Sequence, residues 1–310
     1  MLKRKFSIML MLVLLLGMIS FVSVAEDFSV TIIDDLGNEV TLESEPKRII
    51  SLAPSMTEML FALELEDRIV GVTSFADYPE AALEKEKIGT ITEPNIEKIV
   101  SLEPDLVFAA GINKIETLNK LEELGIKVAG FSPSSIDETL IAIKKVGKLT
   151  NNSEVANAMV AELFINLADI EVLIDRALKG KEKPKVFYEI WNDPLSTAGN
   201  GTFIDDIIET AGGINIGEQA KGAWPQFSFE KLLIENPDIY ISSPHSASHQ
   251  VTEETIKKRD NYDQIKAVRN DRIYIIDQNI INRPSPRIIE GLKMIVKSLY
   301  PELSDEIDKL

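Results

Sequence analysis

The chain contains no cysteine. That excludes disulfide cross-links, a thiol nucleophile and a lipid-modified N-terminal cysteine, so the fold must be held by its core alone. Histidine occurs twice, as His245 and His249, too few for a three-histidine metal centre. Positive charge is short: 33 Lys and Arg stand against 50 Asp and Glu, a net charge of −17. A chain this acidic is a poor partner for nucleic acid or anionic lipid, both of which need clustered cations. Tryptophan is scarce, with only Trp191 and Trp224.

Long hydrophobic runs are also absent, with one exception at the start. Lys3, Arg4 and Lys5 precede an almost wholly apolar Ile8–Ile19, and Ser23 and Ala25 place small residues at the −3 and −1 positions of a cleavage site. This pattern predicts a secretory signal peptide over residues 1–25, cut before Glu26. The alternative is an uncleaved anchor, although the apolar run is slightly short of the ~20 residues that a span needs. Either way the protein is expected outside the cytoplasm, free in a periplasm or on the outer face of the membrane. About 285 residues then remain, long enough for two lobes. Losing the three basic residues takes the net charge to −20.

What is present reads as α/β. After a hairpin around "DLGN", strand-like runs such as "RIISLA", "RIVGV" and "IKVAGF" alternate with helical runs up to about residue 150. Ser55 followed by Glu58 reads as a capping box that opens the first helix. From Ser153 to Leu178 there is neither Gly nor Pro. One helix of 26 residues, roughly 40 Å long, is predicted there. The α/β pattern then restarts at "KVFYEIW". The predicted organisation is an N-terminal lobe over 26–150, a bridging helix over 151–182 and a C-terminal lobe over 183–310. Each lobe has a mostly parallel sheet flanked by helices, and the helix between them is rigid.

A short element is written twice. "EKIVSLEPDLVF" begins at Glu97, and "EKLLIENPDIYI" begins at Glu230, 133 positions on. Glu, Lys, Pro and Asp coincide, as does the spacing of the apolar residues. Each copy reads as a short helix, a stop and a strand, so the two lobes repeat one layout.

Four stretches, "PKRIISLAPSMTEMLFALELEDRIVGVTSFADYPEAA", "IGTITEPNIEKIVSLEPDLVFAAG", "KGAWPQFSFEKLLIENPDIYI" and "NDRIYIIDQNIINRPSPRIIEGLKMI", carry a resemblance. Together they cover most of Pro46–Pro301 and resemble the extracytoplasmic solute-binding proteins of ABC importers for vitamin B12, iron–siderophores and haem. "WPQFSFE" looks most like the B12 branch, although that branch carries further aromatics where this chain has Ile91 and Ala110. The resemblance implies a monomeric, high-affinity receptor that captures cobalamin or a ferric siderophore between its lobes. It would deliver this small-molecule metal chelate to an ABC permease dimer with its ATPase subunits. No resident cofactor is expected, since cobalt or iron would arrive with the ligand.

The resemblance also assigns residues. Glu97 and Glu230 would each meet arginines on one copy of the permease, and a two-fold partner is suited by two equivalent contacts. Phe75, Trp191 and Trp224, read as lying in loops beside strands, would give a flat ligand its aromatic walls. Arg283 would face ligand carboxylates or iron-bound oxygens, with Arg287 as a structural residue. A haem-binding receptor is the alternative, with His245 as axial ligand and Met56 as a possible counterpart.

A secreted α/β enzyme is the remote alternative. The chain has no G-x-S-x-G elbow, and "AGNGTF" lacks the Gly-Lys-Ser/Thr of a phosphate loop. The expected answer is that it is not an enzyme.

Overall fold

The computed structural model describes residues 28–244 and 251–310. The predicted signal segment and both histidines lie outside these residues. Among the described residues no helix is long and apolar enough to cross a membrane.

The chain opens on the expected hairpin. Strand β1 (Val30–Ile33) pairs antiparallel with β2 (Glu39–Leu42). Asp34 closes its turn by accepting from the Leu36 and Asn38 amides. The first sheet follows, with β3 (Ile49–Ser51), α1 (Pro54–Ala62), β4 (Ile69–Val72), α2 (Ile96–Ser101), β5 (Leu106–Ala110), α3 (Ile115–Glu123), β6 (Val128–Phe131) and α4 (Ile136–Leu149). Its strand order is β4-β3-β5-β6, every pair parallel. The strands are nearly all buried, as expected of a parallel sheet covered on both faces.

Helix α5 runs from Ser153 to Leu178, the 26 residues that the sequence predicts. Its buried positions are Ala156, Val160, Leu163, Leu167, Ile170, Ile174 and Ala177, one stripe at alternating spacings of four and three. Burying each of the five larger side chains is worth about 1.5–3 kcal/mol before ordering costs. The stripe first meets α4, where Gly147 lies so close that a Cβ on it would stand 2.3 Å from that of Ala156. Further along, the same stripe packs on the C-terminal half. One apolar cluster therefore runs from Val30 through α5 to Ile307.

The second half comprises β7 (Lys185–Asn192), β8 (Leu195–Thr197), α6 (Phe203–Thr210), β9 (Ile214–Asn215), α7 (Phe229–Glu235), β10 (Ile239–Ser242), α8 (Glu253–Lys257), α9 (Lys266–Arg269), β11 (Ile273–Ile275), α10 (Gln278–Ile281), α11 (Ile288–Leu299) and α12 (Ser304–Ile307). The order is β11-β10-β7-β8 with β9 on β7, all parallel except β8, which returns antiparallel beside β7. Two mostly parallel sheets flanked by helices, with one long helix between them, are the fold class expected from the sequence.

The repeated element has a structural basis. In each copy a side chain caps the short helix: Asn95 accepts from the Lys98 amide, and Ser228 from the Lys231 amide. In each copy the Asp of "PD" reaches across to the strand that its own strand will join. Asp105 accepts from the Lys47 and Arg48 amides before β3, at 2.7 and 2.8 Å. Asp238 accepts from the Lys185 amide at the start of β7, at 2.8 Å.

Two local readings are corrected. Helix α1 has Ala53 as its cap residue and no side-chain cap, so Ser55 and Glu58 form no capping box. Pro54 needs no capped amide, and Glu58 is buried and turned to the other half. Trp191 lies within β7, not in a loop after it.

Candidate functional site

A cavity of about 740 Å³ opens between the two halves. Its first wall is made by the C-terminal ends of β5 and β6, the start of α1 and the loop after β4, bringing in Met56, Phe75, Ile91 and Ala110. The second wall is made by Ile190 of β7, the start of α6 and the loop that carries Trp224. A strap of residues 278–284 closes one side with Gln278, Asn279, Asn282, Arg283 and Pro284. Cavities at strand ends of parallel sheets are the usual ligand sites of α/β folds.

Two aromatic side chains stand exposed in this cavity, one from each half. Phe75 is 55% exposed and Trp224 60%. Exposure alone would be costly for both rings, yet each is held by its backbone neighbours. The Gly199 amide donates to Ala223 O at 2.8 Å, and the Thr197 amide donates to Pro225 O at 3.1 Å, so Trp224 is pinned on both sides. That approach requires glycine at 199, where a Cβ would stand 2.1 Å from Gly222 O. The Ser74 amide donates to Gly89 O at 2.8 Å, and the Ala76 amide to Thr73 O at 3.1 Å, which fixes Phe75 in the same way. A fixed backbone leaves only side-chain rotation to be ordered when a flat ligand inserts.

Other predicted residues fall differently. Met56 lines the cavity but is only 2% exposed and belongs to the core. Trp191 is not among the lining residues; Ile190 takes that place, and the Trp191 ring N–H donates to Asp193 O at 2.8 Å. The pairing of β7 with β8 shifts register between Glu189 and Trp191, so the strand is irregular where these two residues stand. His245 lies outside the described residues.

Arg283 lines the cavity, but its charge is already matched. Its Nη1 donates to Glu58 Oε1 at 2.8 Å and to Asp77 Oδ1 at 2.6 Å, and its Nη2 donates to Asn279 Oδ1 at 2.7 Å. Glu58 also accepts from Arg287 at 2.6 and 3.0 Å and from the Ser285 hydroxyl at 2.7 Å. Thus a buried carboxylate on α1 takes four hydrogen bonds, all from residues 283–287 of the other half. Arg287 also stacks on the Tyr78 ring, 3.9 Å from its centroid. Burial alone would lower the Arg287 guanidinium, but the bonds and charge of Glu58 outweigh it and hold its pKa raised. Sequence reasoning left Glu58 out of this set, because an acidic residue early in a helix looks like a cap.

A second link joins the halves. Asp206 on α6 accepts from the Ile136 amide at 2.8 Å, at the first turn of α4. Burial, first of all, raises the Asp206 pKa, and its acidic neighbours add to the shift.

Glu97 and Glu230 both stand exposed in the first turns of their helices, α2 and α7. Neither makes an ion pair or side-chain hydrogen bond among the described residues.

Comparison with known proteins fits this architecture. A family model described as periplasmic binding protein matches residues 49–280. A Bacillus subtilis relative named as an uncharacterised ABC transporter substrate-binding lipoprotein, YvrC, is 33% identical over 286 residues, covering 91% of this chain and 88% of its own. Among solved structures, a possible iron-binding (periplasmic solute-binding) protein from Staphylococcus epidermidis is 35% identical with a TM-score of 0.72, covering 83% of this chain and 100% of that one. The periplasmic vitamin B12-binding protein BtuF of Vibrio cholerae is 28% identical with a TM-score of 0.71, covering 86% and 99%. These relatives are binding proteins, not enzymes, in line with the sequence reading.

Proposed function

The chain belongs to the periplasmic binding protein family, and on that premise we propose that it is the extracytoplasmic substrate-binding component of an ABC importer for a metal chelate of the cobalamin or ferric-siderophore type. The ligand is held between Phe75 and Trp224, in the cavity closed by residues 278–284. The observation that carries this reading is the pair of exposed aromatic rings, one on each wall, each on a loop whose backbone is held by hydrogen bonds on both sides. A tryptophan 60% exposed on the wall of a cavity of about 740 Å³ is placed to be covered by a ligand. The permease is engaged through Glu97 and Glu230, one from each copy of the repeated element. The protein acts as a monomer, exported to the periplasm or the outer face of the membrane.

The ligand brings its own colour, which makes the test direct. Titration of the purified protein with cyanocobalamin, hemin and a panel of ferric siderophores, followed in the visible spectrum and by tryptophan quenching, should find one chelate that binds 1:1 with a Kd below about 1 µM. If no chelate binds below about 100 µM, the reading is wrong.

A further inference from the structure

The charge around the cavity is balanced within the protein itself. Among the described residues that line it, Arg283 alone is charged. Its guanidinium is 12% exposed and is bonded to two carboxylates: Glu58, 2% exposed, and Asp77, 46% exposed. Glu58 is shared with Arg287, so two arginines stand against two acids and the cluster is neutral. Asn279 ties the arrangement together, accepting from Arg283 at 2.7 Å and donating to Asp77 at 3.3 Å. The other polar groups on the walls are hydroxyls and amides, among them Ser55, Ser132, Thr202 and Asn282.

An arginine whose charge is cancelled still has N–H bonds to give. A guanidinium carries five, and three of these are directed at Glu58, Asp77 and Asn279. What remains suits an uncharged oxygen, such as an amide or hydroxyl on the ligand edge. A ligand carboxylate or catecholate brought here would compete with Asp77 and lie near Glu58, with no uncompensated cation to receive it. Burying an anion without a partner is costly. The excess of acidic residues, 50 against 33 basic, adds a long-range field of the same sign.

We infer that Arg283 is a specificity-determining residue whose charge Glu58 and Asp77 cancel, so that the cleft selects chelates with an uncharged, amide- or hydroxyl-bearing edge against the 278–284 strap and discriminates against anionic ones. This rests on the binding function proposed above and names the ligand class for that site.

The test uses two pairs of probes that differ in charge at nearly constant shape: cyanocobalamin with its side-chain tricarboxylate, and hemin dimethyl ester with hemin. Affinities are measured for the parent protein and for Asp77→Asn, which keeps the shape of a half-exposed side chain and leaves Arg283 and Arg287 with one acid between them. In the parent, the uncharged member of whichever pair binds should be favoured at least tenfold. In Asp77→Asn that preference should shrink by about tenfold or more, with the uncharged member changed less than threefold. An anionic probe that binds the parent as tightly as its neutral twin overturns the inference while leaving the binding function intact. So does an Asp77→Asn variant that shifts both members alike. If none of the four probes binds the parent, this inference is overturned; the proposed function falls with it only if the ferric siderophores of the titration above fail to bind as well.

Discussion

Glu58 and Arg287 are 229 positions apart and belong to different halves of the molecule, yet two hydrogen bonds of 2.6 and 3.0 Å join their side chains. With Arg283 and Ser285 they form a buried staple beside the cavity. The long helix α5 is thus not the only tie between the two sheets.

Removing one partner of this staple leaves the other buried and unmatched. Glu58→Gln should destabilise the protein by about 3 kcal/mol or more, since broken buried ion pairs typically cost 3–5 kcal/mol. Urea denaturation of the parent and the variant measures this. A loss under about 1 kcal/mol would show that the arginines find solvent or other acceptors instead.

Docking predicts a separation of functions. Glu97 and Glu230 are exposed and unpaired among the described residues, so the double change Glu97→Arg with Glu230→Arg should leave both melting temperature and ligand affinity as they were. Transport by the reconstituted importer should fall to background, because each change places like charges at the contact. Normal transport by the double variant would remove the docking role from the repeated element.

Trp224→Ala should weaken the bound chelate by about thirtyfold or more, the equivalent of about 2 kcal/mol for a well-packed aromatic. Most of the ligand-induced fluorescence quenching should vanish with it, since Trp191 is not among the residues that line the cavity. Unchanged affinity would make Trp224 a surface ring with no part in binding.

Asp206 gives a pH signature. Its folded pKa is raised by burial above the ordinary carboxylate value of ~3.9. The stabilisation that the protonated form has below that value is therefore lost as pH rises through the raised one. Asp206→Asn keeps the acceptor for the Ile136 amide without the charge. The variant should melt higher than the parent at pH 7 and equal to it near pH 3.5. A lower melting temperature at pH 7 would mean that the ionised group is favoured there.

The sequence showed more of the fold than of the site. Alternation of strand and helix runs, and 26 residues free of Gly and Pro, were enough for two α/β halves and α5, because those signals are local. That Phe75 and Trp224 lie in loops was also legible, and both line the cavity. The staple was not, because Glu58 and Arg287 are linked only by how the two halves fold together. Local periodicity says nothing about that. Ile190 lines the cavity and Trp191 does not for a related reason: the register of β7 shifts between Glu189 and Trp191, and local sequence carries no signal for that irregularity.

The central claim is that a metal chelate sits between Phe75 and Trp224. Anomalous diffraction at the cobalt or iron edge, from crystals grown with the chelate that the titration selects, tests it most directly. The account predicts a single strong metal peak in the cavity, flanked by the two rings and by the 278–284 strap. A peak outside the cavity, or a bound chelate that touches neither ring, would contradict it.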